Sequence, residues 1–368
     1  MARINLIIAD TDEAYNEGIV NFIMRNHSIK FQVSSFTRAS SLQDYLSQVD
    51  EKVDILLISP ELYSEQIPAD KVRALILLTS GKRAETTGQD VINKYQHAEK
   101  IVSDITGIFA EKYEGQIHVA GGSKTTRVVG VYSPSGGTGK TCIALAASIQ
   151  CAQNGLSTFY LNLEDLNSST WFLKEDGEKS LSKALYYIKE NNKNLTLKIE
   201  GTRCIEPLYN IHYFSPLESA LEMEEILPDE LETLIRQLRI MGQYDLIFLD
   251  MTNSFSSKNL KVLNSCDDIF LVFTQDMLAG AKVKGFMSEL SIHSANECNK
   301  ILDKSIFILN KYDMTLPTEF SALSDIGKAF EVMLPEDLRL KSIKEPNVLD
   351  DITIGFGRGI RDLIARFI

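Results

Sequence analysis

Residues 128–148 read VVGVYSPSGGTGKTCIALAAS, a hydrophobic strand, a glycine loop ending in Gly-Lys-Thr and a helical stretch in one unbroken run. Few folds accept such a run. The strand must be buried in a sheet and the helix must cross back over its face, which places the loop at the carboxyl end of a parallel strand. In that position Gly136, Gly137 and Gly139 let backbone amides turn toward phosphate oxygens, and the helix amino end adds its partial positive charge. Lys140 reaches the outer phosphates and the Thr141 hydroxyl can hold Mg²⁺. The stretch Ser135, Gly136, Gly137, Thr138, Gly139, Lys140, Thr141, Cys142 is therefore the expected nucleotide-contacting segment. Pro134 stands where the strict loop pattern has its first glycine; it alters how the chain enters the loop and leaves the amides of 136–141 in place.

A phosphate loop of this kind demands a second carboxylate at the end of a later strand, where it can hold the magnesium shell. YDLIFLDMT supplies Asp250 after four hydrophobic residues, whereas Asp245 opens the same strand and is expected to be a solvated end. Thr141 and Asp250 are thus the expected metal-shell residues.

The rest of the chain alternates in the same way. RINLIIAD, KFQVSSF, VDILLIS, DKVRALILLT and GQDVINKY read as short strands, with EAYNEGIVNFIMRN, SSLQDYLSQV and AEKIVSDITGIFAEKY as helices. This first half, residues 1–112, predicts a doubly wound parallel sheet. EGQIHVAGGSKTTR, rich in glycine, serine and charge, predicts a linker over 113–126. Residues 127–368 then restart with RVVGVYS and continue through LSTFYLNL, NIHYFSP, YDLIFLD, DDIFLVFT, SIFILNKYD and FEVMLPED, a second α/β domain. The two halves share an architecture without sharing a sequence.

Composition excludes several classes. With 44% hydrophobic and 24% charged residues the chain is an ordinary globular one. No apolar run approaches the roughly 20 residues of a membrane span, and MARINLIIAD lacks a secretory cleavage region, so a cytoplasmic protein is expected. The five cysteines form no CxxC pair and the five histidines no HxxxH, which fits reduced thiols and no protein-built metal cluster. A formal charge of -12 argues against strong non-specific nucleic-acid binding.

SPSGGTGKT resembles the deviant phosphate loop of the ParA/MinD group of P-loop ATPases, whose usual form is KGGxGKT. The resemblance covers residues 127–368 and implies ATP and Mg²⁺ as cofactors and a homodimer. In that group a lysine ahead of the two glycines reaches across to the partner's phosphates; here that position is Ser135. The group's DxD-type stretch aligns with LNLEDLNSS, so Asn162 and Glu164 replace the two aspartates, and Asp165 would point to the opposite face of an extended strand. The resemblance makes Lys140 and Glu164 the catalytic residues. With a cation lost at Ser135 and a charge lost at Asn162, nucleotide binding persists and hydrolysis is weak or absent. Asn310 in FILNKYD matches the asparagine that contacts the adenine amino group, and LPED resembles the second adenine-contacting loop, which adds Pro335 and Asp337. NKYD is also a guanine-selective signature through Asp313, and a plain strand-end turn fits the same residues.

The first half resembles a response-regulator receiver, a flavodoxin-like fold. Asp10 and Asp12 end its first strand, Thr79 its fourth and Lys94 its fifth, while the third strand ends in Ser59 where receivers carry the phosphate-accepting aspartate. A serine hydroxyl forms no acyl phosphate, so the domain is expected to serve interaction. A receiver-like domain ahead of a MinD-like ATPase is the arrangement of TadZ/CpaE proteins of the Tad (Flp) type IV pilus machinery. That resemblance implies an assembly platform, other Tad pilus proteins as partners and a polar or peripherally membrane-associated position. The alternatives are a ParA/MinD-type ATPase cycling on DNA or membrane, and a GTP-dependent switch. Finally, FGRGIRDLIARFI places Ile360, Leu363, Ile364, Phe367 and Ile368 on one helical face. Because Asp362 interrupts its short basic side, this helix is expected to dock on the sheet, with membrane contact at most peripheral.

Overall fold

The computed structural model describes residues 3–64, 67–81, 89–113, 122, 124–174, 179–190, 192–293, 295–316, 323, 327–341, 349, 351 and 355–368. Most of the expected linker, residues 114–121 and 123, lies outside the described residues. The chain divides into two compact units: Met1–Ser123 with Tyr186–Arg203, and Lys124–Leu185 with Cys204–Ile368.

In the first unit the strands are β1 (Ile4–Ala9), β2 (Phe31–Phe36), β3 (Val53–Ile58), β4 (Val72–Thr79) and β5 (Asp90–Asn93), with helices α1 (Glu13–Asn26), α2 (Ala39–Gln48) and α3 (Ala98–Lys112). All five strands are parallel in the order β2-β1-β3-β4-β5. The central strands read as near-continuous apolar runs because helices cover both faces: Ile55, Leu56, Leu57 and Ile58 are all buried. Asp12 caps α1, its carboxylate accepting from the Tyr15 amide at 3.0 Å, and Ile19 and Ile23 then face the core one turn apart. Among the described residues the link from β3 to β4 holds one 3₁₀ turn and no helix.

The second unit's sheet uses β6 (Arg127–Tyr132), β7 (Thr158–Asn162), β8 (Cys204–Glu206), β9 (Ile211–Tyr213), β10 (Leu246–Asp250), β11 (Asp268–Phe273), β12 (Ser305–Tyr312) and β13 (Val332–Pro335). Their order is β13-β12-β11-β6-β10-β7-β9-β8, parallel except for β8, a short antiparallel edge strand the apolar pattern does not announce. Beyond α3 the helices in chain order are α4 (Lys140–Gln153), α5 (Leu181–Lys189), α6 (Leu195–Gly201), α7 (Ala220–Glu225), α8 (Pro228–Ile240), α9 (Ser257–Ser265), α10 (Met277–His293), α11 (Ala295–Asp303) and α12 (Gly355–Ile364). Helix α4 is buried almost all round, as a helix between sheet and neighbours must be.

Residues 186–203, within the span 127–368 expected as the second domain, cluster with the first unit. There Gly201 of α6 meets Gly107 of α3 backbone to backbone, with no room for a side chain on Gly201. Charge completes the fit. Lys30 Nζ donates to Glu200 Oε2 at 2.7 Å and to Thr106 Oγ1 at 2.9 Å, while the fully buried Arg203 donates to Glu99 at 3.3 Å and Glu200 at 3.2 Å.

The carboxyl-terminal helix α12 docks. Phe356, Ile360, Leu363 and Ile364 are buried, Gln150 of α4 donates to Gly357 O at 3.0 Å, and the Phe367 ring stacks on Phe270. Its apolar face is spent on the sheet and α4. No helix among the described residues is long and apolar enough to cross a membrane.

Candidate functional site

The loop leaves β6 at Tyr132 and enters α4 at Lys140, with Gly137 at φ +70° and Gly139 at φ +90°. Both angles lie where L-residues with a Cβ are strained, so the glycines are required by the backbone itself. Ser135, 7% exposed, turns its amide back onto Ser133 Oγ at 3.1 Å. One group in the segment lacks what burial normally demands. Thr138 Oγ1 is buried with no hydrogen-bond partner among the described residues, and Lys140 is 6% exposed.

Strand β10 brings Asp250 to the same place, fully buried and paired in register with Asn162 of β7. Its Oδ2 accepts from Tyr160 OH at 2.8 Å and from Asn162 Nδ2 at 3.4 Å. Oδ1 accepts no hydrogen bond of ordinary geometry among the described residues; the Thr141 hydroxyl, near enough to pull on the carboxyl, donates to Glu164 Oε2 at 3.4 Å. Burial, then the Glu164 charge, push the Asp250 carboxyl up to about 7 against the opposing pull of Thr141, Tyr160 and Lys140. An orphaned carboxylate oxygen, an orphaned hydroxyl, a largely buried lysine and a helix amino end fit a magnesium-bound phosphate chain. Asp250 and Thr141 would hold the metal, and Lys140 and the loop amides the phosphates.

Glu164 owes its place to Asn162, whose Oδ1 accepts the Glu164 amide at 2.8 Å. Because β7 ends at Asn162, strand alternation does not extend to the residues beyond it, and Glu164 and Asp165 line the same cavity of about 220 Å³ with Asn162, Asn167 and Phe214. Asp165 thus does not turn to an opposite face.

A second cavity, of about 140 Å³, is lined by Gly139, Cys142, Asn310, Lys311, Pro335, Asp337 and neighbours from α12 and the 3₁₀ turn after β13. The expected base-contacting residues are therefore together. Burial pushes the Cys142 thiol up, so it meets a ligand as a neutral group. Asn310 and Lys311 also hold the loop: Asn310 Nδ2 donates to Thr138 O and Lys311 Nζ to Gly137 O, each at 2.7 Å. Asp313 does not line this cavity; its carboxylate accepts from Thr315 N and Oγ1. Asp245 is not merely a solvated end, since it accepts the Ser157 amide at 2.8 Å and pairs with Lys124.

Sequence reasoning missed Tyr160 and Lys311. Tyr160 lies two residues before Asn162 on a strand, hence on the same face, and that spacing is the signal that points to it.

At the acidic end of the first unit, Asp10 and Asp12 are held by the protein itself. Asp10 is buried, with Lys94 Nζ 3.3 Å and 3.4 Å from its two carboxylate oxygens, and it accepts the Asp12 amide at 2.8 Å. Asp12 is spent as the cap of α1, and Ser59 follows β3 with its amide on Ala9 O.

No protein-family model and no curated protein matches the chain. Among solved structures it is similar to a ParA family ATPase from Chlorobium tepidum TLS, with TM-score 0.54 and 18% identity over 65% of this chain and 98% of that one. It is also similar to the MinD cell division protein of Aquifex aeolicus, with TM-score 0.52 and 14% identity over 65% of this chain and 95% of that one. At these identities the likeness is one of fold. The covered share exceeds what the first unit can supply, so the second unit carries a ParA/MinD-like P-loop α/β fold.

Proposed function

We propose that the chain is an ATP- and Mg²⁺-binding protein that dimerises and serves as a localisation platform in Tad (Flp) pilus assembly, with weak or absent hydrolysis. The observation that carries the nucleotide reading is the buried Asp250 oxygen, without a hydrogen-bond partner among the described residues, on the strand beside the one that leads into the glycine loop and Lys140. Residues 135–142 hold the phosphates, Thr141 and Asp250 the metal, and Asn310, Pro335 and Asp337 border the base. The bound metal would supply charge neutralisation on the phosphate chain. Adenine is favoured over guanine because Asp313, the residue a guanine edge requires, is committed to Thr315 and absent from the cavity lining. The ATP-requiring part is tested by melting curves with ATP, GTP and Mg²⁺; a GTP shift equal to or larger than the ATP shift would defeat it.

The platform reading is supported by Ser135, which leaves the loop without the cation that the resembling group sends across its dimer. It also draws on the first unit, where Asp10 is paired with Lys94, Asp12 caps α1 and serine follows the third strand, as suits an interaction domain. Residues 1–112 and 127–368, joined by 113–126 and with 186–203 given over to the first unit, are proposed as the TadZ/CpaE-type arrangement, cytoplasmic and polar. Its partners would be a second copy and other Tad proteins. The rival reading, an ATPase that cycles on DNA or membrane, has Glu164 in its favour, since that carboxylate stands on the Thr141 hydroxyl. Ser135→Lys separates them. Phosphate release by the variant is expected to exceed wild type at least about tenfold, since one positioned cation is worth that or more in phosphoryl transfer. Rapid wild-type turnover, stimulated by DNA or liposomes, would instead establish the cycling ATPase.

A further inference from the structure

We propose that Asn310 and Lys311 are positioning residues that set the phosphate loop before any ligand arrives, and that this brace, rather than base recognition, is their main contribution. The proposal rests on the nucleotide reading above. Its origin is an irregularity in β12. The pairing with β13 runs Asn310 to Leu334 and then Tyr312 to Pro335, so Lys311 is an extra residue in the ladder, held at φ +56°. In a regular strand neighbouring side chains leave by opposite faces. The bulge and the left-handed residue cancel that alternation, and both side chains reach the same loop. A lysine adopts this conformation only at a cost, so the surrounding contacts must hold it there.

The two bonds land on consecutive carbonyls, Gly137 O and Thr138 O. Each peptide unit is planar and trans, so fixing a carbonyl fixes the next amide in the opposite direction. Pinning the oxygens of Gly137 and Thr138 toward β12 therefore turns the amides of Thr138 and Gly139 away from it. Those are loop amides of the kind that bind phosphate oxygens. Without the brace the two peptides, flanked by glycines at φ +70° and +90°, could rotate at little cost. The fit is close on the loop side as well, since a Cβ on Gly139 would run into the Asn310 amide nitrogen. Asn310 is 5% exposed and already spends a donor on the loop, so any base contact it makes is additional.

A brace and a base reader are distinguished by a ligand without a base. Affinities of full-length wild type, Asn310→Ala, Lys311→Met and Lys311→Arg are compared for ATP and for inorganic tripolyphosphate, both with Mg²⁺, by competition against a fluorescent ATP analogue. The brace predicts that Asn310→Ala and Lys311→Met each weaken both ligands by the same factor, about tenfold, the scale of one strong hydrogen bond. Lys311→Arg should recover most of the loss, as it keeps the charge and the donors. A loss confined to ATP, with tripolyphosphate unaffected, would overturn the proposal in favour of base contact, and so would wild-type affinity for both. If wild type itself bound neither ligand, the nucleotide reading would fall. The brace is then judged by hydrogen exchange of the amides of 137–140, which must accelerate in Lys311→Met; unchanged exchange refutes it.

Discussion

Replacing Asp250 by asparagine is expected to raise the melting temperature of the ligand-free protein at pH 8 while abolishing the extra stabilisation that ATP gains from Mg²⁺. Burial and the Glu164 charge hold the Asp250 carboxyl up at about 7, well above its unfolded value of 3.8. Between those two values the folded chain binds the proton and the unfolded chain does not, so stability falls as pH rises from about 4 through 7. Below that window Asp250 is neutral in both states and asparagine changes little. Above it the wild type carries a buried, half-partnered carboxylate whose cost, a few kcal/mol at most, asparagine removes. The same charge is what a magnesium shell needs, so the substitution trades ligand-linked stability for ligand-free stability. Melting curves at pH 5 and pH 8, with and without ATP and Mg²⁺, read all four corners. A ligand-free variant that melts below wild type at pH 8 would mean that Asp250 is a structural acid. Lys140→Met behaves alike in one respect, an expected loss of about 100-fold or more in ATP affinity, but has no reason to share the pH dependence.

The contrast between the two units shows what turns a strand-end acid into a site. Asp10 and Asp250 both stand at the carboxyl ends of parallel strands and both are fully buried. Asp10 has an ammonium, Lys94, against both oxygens, and its neighbour Asp12 is committed to a helix cap. Asp250 has neutral donors on one oxygen and, among the described residues, no hydrogen bond of ordinary geometry on the other. In the first arrangement both acids are satisfied within the protein. The second is incomplete. Sheet topology supplies the location, and unsatisfied charge decides whether chemistry follows.

How far the sequence reveals this depends on the range over which each feature is encoded. The glycine loop and Asp250 are local patterns, a strand and a few fixed residue types, and both stand where those patterns put them. Asn310, Pro335 and Asp337 are legible as a group through resemblance, but the bonds of Asn310 and Lys311 to the loop are not, because they depend on one extra residue in a ladder between β12 and β13. Tyr160 looks like an ordinary apolar core residue, and only the register of β7 against β10 gives its hydroxyl a partner. Residues 186–203 are the least legible. Nothing in LTLKIEG marks it as part of the first unit, since its partners are set far away in sequence, Lys30 lying 170 positions from Glu200.

That distant pairing leads to the other large expected effect. Arg203→Met should destabilise the first unit by about 3–5 kcal/mol, the cost of breaking a buried ion network from one side. Arg203 is fully buried, and its guanidinium stands between Glu99 and Glu200, carboxylates that are themselves tied to His27 and Lys30. Methionine fills much of the volume, so lost packing contributes little and the effect isolates the charge left behind. Two buried carboxylates would then share fewer cations, and Glu200 has no route to water short of displacing α6. The expected signature is faster hydrogen exchange in α1, α3 and α6 together, with an earlier melting transition. Neutralising the acids as well, in Glu99→Gln/Glu200→Gln/Arg203→Met, should recover a substantial part of the loss, because a buried network removed whole costs far less than one removed by halves. If Arg203→Met alone cost less than about 1 kcal/mol, the network would be peripheral, and the Gly107–Gly201 contact and the buried Leu197 and Ile199 would suffice to hold α6 in place.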